Sequence, residues 1–418
     1  MISHYQRVSA ILDLRKPSMK SIIQHPCVSV IIPAYNQGPM LAHAIESALA
    51  QTYPHVEIIV VNDGSTDPIT RQTTQAYADR IKYIERENGG VAAARNTGLE
   101  SATGELIAWL DQDDRWLPHK LQMEVDALQA HPQVALAHSS YYLIDADGCR
   151  TGVARLPERQ WYALPDLLVE GSVCASSVLV RRDVLAKVGP LDPSLAGSDD
   201  WDLWLRIAAL GYPFLCLGEP LVEYRVHTTN ASHDIDFMVS SSLQTLDKFY
   251  TLPTLPGVAL RWRGRAYFQK HIAAAALYYG ASRMEEARAH LTRAARYHPK
   301  GVAKGRALQS LIYSRSERPS WETVQESLRF VDETLHLSPR LSRKLRAQQW
   351  LVRALHAGSS RRVLKLRYVG RALLTDPFLI FDPGILGAGK RLLRRTSSQL
   401  WRRLLSQAGR KPRARSRV

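Results

Sequence analysis

The sequence predicts an α/β fold, in which a mostly parallel sheet carries helices on both faces and is followed by an α-helical C-terminal region. Two patterns indicate this fold. Short β-branched runs alternate with segments of helical spacing over the first part of the chain. After about residue 240 the chain becomes helical in pattern and rich in Ala, Leu and Arg. The fold class therefore follows from periodicity alone.

The predicted elements of the first part alternate between strand and helix. In order they are strand Val28–Ile32, helix Met40–Leu49, strand Val56–Val61, helix 70–79, strand Ile81–Ile84, helix Val91–Ser101 and strand Glu105–Leu110. Each strand is an apolar or β-branched run, and turn residues such as Asn62-Asp63-Gly64-Ser65 separate the elements. Two further short strands, Val134–Ala137 and Ser177–Val180, and a helix, Trp201–Leu210, are predicted after them.

Polar clusters follow four of these segments at the point where each strand ends or a new helix begins. They are Tyr35-Asn36, Asn62-Asp63, Glu87-Asn88 and Asp111–Asp114. Ligands of open parallel sheets bind beyond the carboxyl ends of the strands. We therefore expect these four clusters to form one site.

The last cluster places three carboxylates within four residues, Asp111-Gln112-Asp113-Asp114, directly after an apolar strand. Like charges at close range repel by roughly 4 kcal/mol per pair near a protein surface. A hard divalent cation that also binds substrate phosphates relieves this repulsion. The alternative is a solvated acidic turn, and the cluster alone does not exclude it.

Six segments in this order resemble the motifs of family 2 glycosyltransferases. They are Val28–Asn36 (VSVIIPAYN), Val61–Asp67 (VNDGSTD), Asn88–Asn96 (NGGVAAARN), Leu110–Asp114 (LDQDD), Ser198–Arg206 (SDDWDLWLR) and Tyr224–Asn230 (YRVHTTN). The resemblance implies the GT-A fold and inverting transfer of a sugar from a nucleotide-diphosphate donor. It also implies a divalent metal, Mg²⁺ or Mn²⁺, held by Asp111, Asp113, Asp114 and His227.

The resemblance also assigns residues to the substrates. The donor nucleotide and its diphosphate are expected at Pro33, Ala34, Tyr35, Asn36, Asp63, Asn88, Gly90, Arg95 and Asp111. Asp200 is expected to take the proton of the acceptor hydroxyl, with Asp199 beside it in the acceptor site. The alternative for Asp199 and Asp200 is that acidic residues at a helix start merely favour the helix dipole. Arg95 and His227 could likewise be ordinary surface residues.

The processive members of the family carry Gln-x-x-Arg-Trp and membrane helices. Here Val258 stands in the place of Gln before Arg261-Trp262, and no apolar run approaches the ~18 residues of a membrane span. The sequence thus favours an enzyme that adds one sugar to a glycan or lipid-linked acceptor, in surface polysaccharide biosynthesis. The alternatives are a transferase that loads sugar onto a polyprenyl phosphate, and a non-catalytic scaffold that binds nucleotide sugar or glycan.

The net charge of +16 is concentrated at the end of the chain, because residues 384–418 contain eleven Lys or Arg and no acid. Basic and apolar residues alternate there at helical spacing, which fits either an anionic membrane surface or a helix packed on the protein. No nucleic-acid partner is expected. The four scattered cysteines and the polar N-terminus favour a cytoplasmic protein, at most peripheral on the membrane.

Four segments are predicted from these patterns. They are a leader (1–26), the glycosyltransferase domain (27–240), an α-helical region (241–380) and a basic amphipathic tail (381–418). Similar helix ends before Pro299, Pro339 and Pro377 fit either a tetratricopeptide-like repeat or three helices that happen to stop before proline.

Overall fold

The computed structural model describes a subset of the 418 residues. These are residues 25–156, 159–162, 164–169, 173–228, 230, 233–303, 310–311, 321–339, 341–343, 345–347, 350, 371–372 and 375. The chain divides into two compact units after Ala274. The expected leader, the basic tail and the helix end before Pro377 lie outside the described residues, apart from residues 25–26 of the leader.

The first unit contains one sheet flanked by helices. Its strands are β1 (Val28–Ala34), β2 (Val56–Asp63), β3 (Lys82–Arg86), β4 (Leu106–Trp109), β5 (Arg115–Trp116), β6 (Leu136–Ile144), β7 (Arg150–Ala154), β8 (Arg159–Tyr162), β9 (Val178–Arg181) and β10 (Phe214–Arg225). Its helices are α1 (Gly38–Leu49), α2 (Pro68–Gln75), α3 (Val91–Ser101), α4 (Lys120–Ala130), α5 (Leu164–Val169), α6 (Arg182–Val188), α7 (Asp199–Ala209) and α8 (Ile235–Phe249). Helix α9 (Gly257–Gly280) begins in this unit and continues into the second.

The sheet has the strand order β3-β2-β1-β4-β9-β6-β10-β5, with β7 added beside β6 and β8 beside β10. The first four strands are parallel, with Val28 opposite both Val56 and Leu106. Strand β9 is antiparallel to β4 and β6, and β6 and β10 are again parallel. The predicted α/β class is confirmed, and the sheet is mixed because β5, β7, β8 and β9 run against their neighbours.

Strand β1 continues two residues beyond its predicted end, through Pro33 to Ala34. Proline cannot donate a ladder hydrogen bond and is normally excluded from central strands. Here Ile31 is the last residue of β1 paired with β4, and its carbonyl accepts from Leu110. Because alternate residues face the same neighbour, the nitrogen of Pro33 points to the side where β4 has already ended. The proline therefore lies beyond the paired part of the β1–β4 ladder.

The prediction missed strands β5, β7, β8 and β10 and helices α4, α5 and α6. Strand β10 contains Gly218 and Pro220, which read as a turn in the sequence. The structure accommodates them as register shifts against β6 between Leu217 and Val222. The strand thus depends on its neighbours rather than on a local pattern.

Aromatic packing joins the two parts of the sheet. Trp109, the last residue of β4, lies 5.6 Å from Trp204 of α7 between ring centroids, and Trp204 in turn packs against Phe214 of β10. Trp109 and Trp204 are almost fully buried. Since Trp204 is one turn after the acidic start of α7, this contact places that start beside the acidic cluster that follows β4.

The second unit is helical where it is described, which confirms the predicted helical C-terminal region. It contains the end of α9, α10 (Met284–Tyr297), α11 (Pro299–Ala303) and α12 (Trp321–Leu335). Tyr279 and Phe330 pack with ring centroids 4.9 Å apart. Helices α10 and α12 end before Pro299 and Pro339, but two such ends do not distinguish a repeat from the alternative. In the part of the chain that the structure describes, no helix has the length and apolar character needed to cross a membrane.

Candidate functional site

A cavity of about 830 Å³ lies at the carboxyl ends of β1, β2 and β4, within the first unit. The predicted site residues that line it are Pro33, Ala34, Tyr35, Asp63, Asn88, Gly90, Arg95, Asp111, Asp113, Asp199, Asp200 and His227. Asn36 and Asp114 are not among the residues that line it. The structure therefore brings together residues up to 194 positions apart, Pro33 and His227, and most of the predicted site residues face one cavity.

The acidic turn after β4 is held by two residues that the prediction did not single out as site residues. The Ser176 hydroxyl accepts from the Asp111 amide at 3.1 Å and donates to Asp114 at 2.5 Å. The Arg225 amide donates to the other carboxylate oxygen of Asp114 at 2.9 Å, and its guanidinium donates to the carbonyl of Asp113. Asp114 is buried, so its carboxylate orders the turn from behind the cavity.

Asp113 faces the cavity and is paired with His227. The imidazole Nε2 of His227 lies 3.0 Å from Asp113 Oδ2. The side-chain amide nitrogen of Asn230 donates to the same oxygen at 3.3 Å. Burial and the negative charge of Asp111 raise the pKa of Asp113, although the hydrogen bond with His227 opposes this. The fold thus holds the Asp113 carboxyl group in a position where ionisation is costly.

Arg95 lines the cavity, where a contact with the nucleotide was predicted, but its side chain is almost fully buried and bonded to two carboxylates. From α3 it donates to Asp111 Oδ1 at 2.6 Å and to Asp199 Oδ2 at 3.0 Å. Burial alone would lower the pKa of Arg95, but the carboxylates of Asp111 and Asp199 raise it. Arg95 therefore joins the acids after β4 to those that begin α7.

Asp200 stands at the first turn of α7, half-buried, with Oδ1 accepting from the Trp201 amide at 2.6 Å. Burial, together with the charge of Asp199, raises the pKa of Asp200 to about 7, and Arg95 partly offsets this. A carboxyl group with a pKa near neutrality is suited to general-base chemistry. The helix-dipole alternative accounts for acids at this position but not for their placement in the cavity.

Asp63 lines the cavity with both carboxylate oxygens already bonded to the protein. It accepts from the amides of Gly89 and Gly90 and from the guanidinium of Arg86. Gly90 has φ +86°, a left-handed conformation that glycine adopts without strain. In this arrangement Asp63 orders the loop that precedes α3.

Asn36 also organises a loop rather than lining the cavity. Its backbone has φ 51°, and its side-chain oxygen accepts from the amides of Thr66 and Asp67. The neighbouring Tyr35 is 44% exposed, and its backbone exchanges two hydrogen bonds with the Gln112 side chain. Asn36 thus joins the loop after β1 to the loop after β2. Gln112 joins the loop after β1 to the acidic turn.

Five acids line the cavity, Asp63, Asp111, Asp113, Asp199 and Asp200, against two fixed cations, Arg95 and Lys270. A diphosphate would meet net repulsion there, which a divalent cation removes. The cavity-facing oxygens fit such a cation, because Arg95 bonds only one oxygen of Asp111, and the Asp111 side chain is 30% exposed. Among the described residues, no three His, Cys, Asp or Glu side chains converge on one point. The donor set therefore suits an ion that takes one or two carboxylates and completes its shell with substrate phosphates and water.

Lys270 is a cavity residue that was not predicted to contact substrate, and Trp201 lines the cavity as well. Trp201 belongs to a segment that resembles a family motif, whereas Lys270 lies on α9, far from every motif. No local signal marks Lys270, since a lysine in a long basic helix reads as a solvated residue.

The sequence is similar to several known proteins. The sequence model described as glycosyl transferase family 2 matches residues 29–189. An uncharacterized glycosyltransferase of Rickettsia typhi is 34% identical over 225 residues, covering 51% of this chain and 69% of the relative. The putative teichuronic acid biosynthesis glycosyltransferase TuaG of Bacillus subtilis is 32% identical over 213 residues, covering 50% and 82%.

A third relative carries a full reaction name. It is the UDP-Glc:alpha-D-GlcNAc-diphosphoundecaprenol beta-1,3-glucosyltransferase WfaP of Escherichia coli. It is 32% identical over 206 residues, covering 49% of this chain and 79% of the relative. The matched region of these relatives corresponds to about half of this chain.

Two solved structures share the fold. TarS of S. aureus, solved with UDP-GlcNAc, aligns with a TM-score of 0.53 at 15% identity, covering 74% of this chain and 91% of that one. The mannosyltransferase PcManGT of Pyrobaculum calidifontis, solved with GDP-Man and Mn²⁺, aligns with a TM-score of 0.50 at 21% identity, covering 79% and 93%. The fold and the relatives define a glycosyltransferase of GT-A type. The chain belongs to glycosyltransferase family 2, which has relatives in surface polysaccharide biosynthesis.

Proposed function

We propose that this enzyme is a metal-dependent, inverting and non-processive glycosyltransferase that moves one sugar from a nucleotide-diphosphate donor to a glycan or lipid-linked acceptor. The observation that carries the proposal is the convergence of Asp111, Asp113 and Asp200 on one cavity. The first two are oxygen ligands for a cation at a diphosphate, and the third is a carboxylate whose pKa, about 7, suits a base.

The donor is proposed to lie along the loops that follow β1 and β2 and precede α3. Pro33, Ala34 and Tyr35 form one wall there, and Asn88 and Gly90 form another. Asp63 holds the second wall through the amides of Gly89 and Gly90, so its role for the nucleotide includes shaping the slot. The exposed ring of Tyr35 offers a stacking face for a base.

The diphosphate is proposed to lie over Asp111 and Asp113, with His227 bonded to Asp113. Asp111 and Asp113 would hold Mg²⁺ or Mn²⁺, and Asp114 would support them through the turn it orders. When bound, the cation neutralises the charge that grows on the leaving diphosphate. Arg95 holds Asp111 in place, because its guanidinium donates directly to that carboxylate.

The acceptor hydroxyl is proposed to meet Asp200, which accepts its proton as the hydroxyl oxygen attacks the anomeric carbon. Attack from the side opposite the leaving diphosphate inverts that carbon. Asp199, fixed by Arg95, keeps a negative charge next to Asp200 and so helps to raise its pKa toward neutrality. This matches the strength of the base to the working pH.

The relatives support a lipid-linked acceptor. The name of WfaP gives a diphosphoundecaprenol-linked GlcNAc as its acceptor, and TuaG is named for teichuronic acid biosynthesis. We propose an acceptor of this class, a sugar on a polyprenyl diphosphate, and therefore action at the cytoplasmic face of a membrane. The nucleotide is proposed to be UDP, since the WfaP donor is UDP-Glc and TarS was solved with UDP-GlcNAc.

Calorimetry with UDP tests the donor half of the proposal. The wild-type protein is expected to bind UDP at least tenfold more tightly with Mn²⁺ than with EDTA, and Asp113→Ala is expected to lose this metal effect. Asp126→Ala, an acid on α4 that does not line the cavity, serves as the control. Equal UDP affinity with and without metal would contradict the proposed metal site.

Sugar transfer by Asp200→Asn tests the acceptor half. With a panel of nucleotide sugars and a GlcNAc-diphosphate lipid, the variant is expected to lose about 10²–10⁴-fold in kcat, the usual contribution of a general base. UDP affinity is expected to stay within twofold. Full turnover in this variant would move the base elsewhere, and UDP binding without turnover of any donor by the wild type would favour the scaffold alternative.

A further inference from the structure

Lys270 brings a cation to the side of the cavity where Asp200 lies. It is partly buried on α9, and its ammonium stands 3.5 Å from the centroid of the Trp201 ring. That ring is held in place, because its Nε1 donates to the carbonyl of Leu167 and the residue is only 4% exposed. The ammonium therefore has a defined position next to the first turn of α7.

The other basic side chains of the cavity are already bonded to carboxylates. Arg95 pairs with Asp111 and Asp199, and His227 is bonded to Asp113. Among the described residues, no carboxylate lies within ion-pair distance of Lys270. Burial lowers the pKa of Lys270 to about 8, although the charge of Asp200 opposes this. The fold therefore removes part of the water around the Lys270 ammonium. Among the described residues, the ammonium contacts the aromatic face of Trp201 and no carboxylate.

We propose that Lys270 binds a phosphoryl group of the acceptor. This rests on the proposed function, because it assumes that the cavity takes a donor over Asp111 and an acceptor over Asp200. A lysine is a compact point charge that suits phosphate oxygens, and its attraction to them is stronger where less water surrounds the pair. Lys270 thereby selects acceptors that carry a phosphate ester on or next to the sugar that is extended.

The position of Lys270 favours the acceptor rather than the donor phosphates. The donor diphosphate is assigned to Asp111 and Asp113 after β4, whereas Lys270 contacts Trp201, the residue that follows the proposed base. A sugar whose hydroxyl reaches Asp200 would place a phosphate on its own anomeric oxygen within a few ångströms of that hydroxyl. The same chemistry would arise from a lipid diphosphate or from a phosphodiester in a glycan chain, and Lys270 would serve either.

Two acceptors, one with a phosphoryl group on the sugar and one without, test this proposal. One is GlcNAc linked through a diphosphate to a short polyprenyl chain, and the other is the octyl glycoside of GlcNAc. The quantity measured is the ratio of kcat/KM for the charged acceptor to that for the neutral one. Lys270→Met is expected to lower this ratio about tenfold, the usual effect of losing a charge-assisted hydrogen bond, mainly through KM. Lys270→Arg is expected to restore most of it.

A matched control is Lys187→Met, which removes another lysine that lies over an aromatic ring, that of Tyr212, but does not line the cavity. This control is expected to leave the ratio unchanged. A GlcNAc phosphodiester offered in place of the lipid diphosphate distinguishes the two sources of phosphate. The preferred source should have the higher kcat/KM with the wild type, and kcat/KM for both should fall with Lys270→Met.

Three results would overturn the assignment of Lys270. The first is an unchanged ratio of kcat/KM in Lys270→Met. The second is an equal loss of kcat/KM for both acceptors, which a purely structural role predicts. The third is a shifted pH profile with an unchanged ratio, which would mean that Lys270 acts through Asp200. If the wild type binds UDP but transfers sugar to neither acceptor, the proposed function is wrong, and so is the assignment of Lys270 to an acceptor phosphate. That outcome is visible before any variant is made.

Discussion

The guanidinium of Arg95 lies between Asp111 and Asp199, 2.6 Å from the first carboxylate and 3.0 Å from the second. These acids are 88 positions apart, one after strand β4 and the other at the start of helix α7. Arg95 thus connects the proposed donor side of the cavity to its acceptor side. Its charge also offsets the repulsion between these two carboxylates.

Removal of this link is expected to destabilise the protein strongly. In Arg95→Met, Asp111 and Asp199 lose their shared partner while Asp199 remains almost fully buried, which costs about 3–5 kcal/mol of the free energy of unfolding. Urea unfolding followed by circular dichroism measures this. The control Arg71→Met removes an exposed ion pair with Glu85 and is expected to change stability by less than about 1 kcal/mol.

A second substitution checks the cause. Asp199→Asn added to Arg95→Met removes one of the two uncompensated charges, so part of the lost stability should return. Additive losses in the double variant would mean that Arg95 acts through packing instead.

Transfer is expected to depend on pH through Asp200. Its pKa is raised to about 7, and only the ionised form accepts a proton, so kcat/KM should fall as pH drops through about 7. A pH–rate profile between pH 5 and 9 with saturating metal measures this limb. A profile that is flat down to pH 5 would show that the base has the pKa of an ordinary carboxyl group.

The raised pKa of Asp200 also makes the stability of the protein depend on pH. As pH rises through about 7, activity should increase while this contribution to stability is lost. Asp200 binds its proton more tightly in the folded state than in the unfolded one, where the pKa is 3.8. Its contribution to stability is therefore full below pH 3.8 and is lost as pH rises through about 7. Asp200→Asn should accordingly unfold at a higher temperature than the wild type at pH 8, and a lower unfolding temperature there would contradict the raised pKa.

Gly98 sets how closely helix α3 approaches the sheet. A Cβ added at this position would come 2.4 Å from a methyl carbon of Ile31, a core residue of β1. Gly98→Ala is expected to cost about 1–3 kcal/mol, although alanine favours a helix, because the overlap requires α3 or Ile31 to move. Arg95 lies on the same helix, so UDP affinity is expected to fall as well.

Gly257→Ala provides the control, since a Cβ at the start of α9 meets no atom within 4 Å. Its unfolding free energy should change by less than about 0.5 kcal/mol. An equally stable Gly98→Ala would mean that the contact between α3 and β1 relaxes without cost.

Local patterns were sufficient for the parallel part of the sheet. Helix α3 was predicted with its true bounds because the Asn88-Gly89-Gly90 turn and the apolar spacing after it mark both ends. The ends of β1 and β4 differ from the prediction by one or two residues, since strand ends depend on where a neighbour stops. Strand β10 was missed because Gly218 and Pro220 interrupt its pattern, and only pairing with β6 holds it extended.

The sequence by itself determined the family, the fold class and most of the residues that line the cavity, because motif order and strand-end positions are local properties of the chain. Only the tertiary structure decided what each side chain does there. It assigned Arg95 to two carboxylates, turned Asn36 and Asp114 away from the cavity to hold loops, and brought Lys270 from a distant helix to Trp201. The physical reason is that hydrogen bonding, burial and charge pairing act between atoms in space, and residues far apart in sequence meet only when the sheet and its helices have packed.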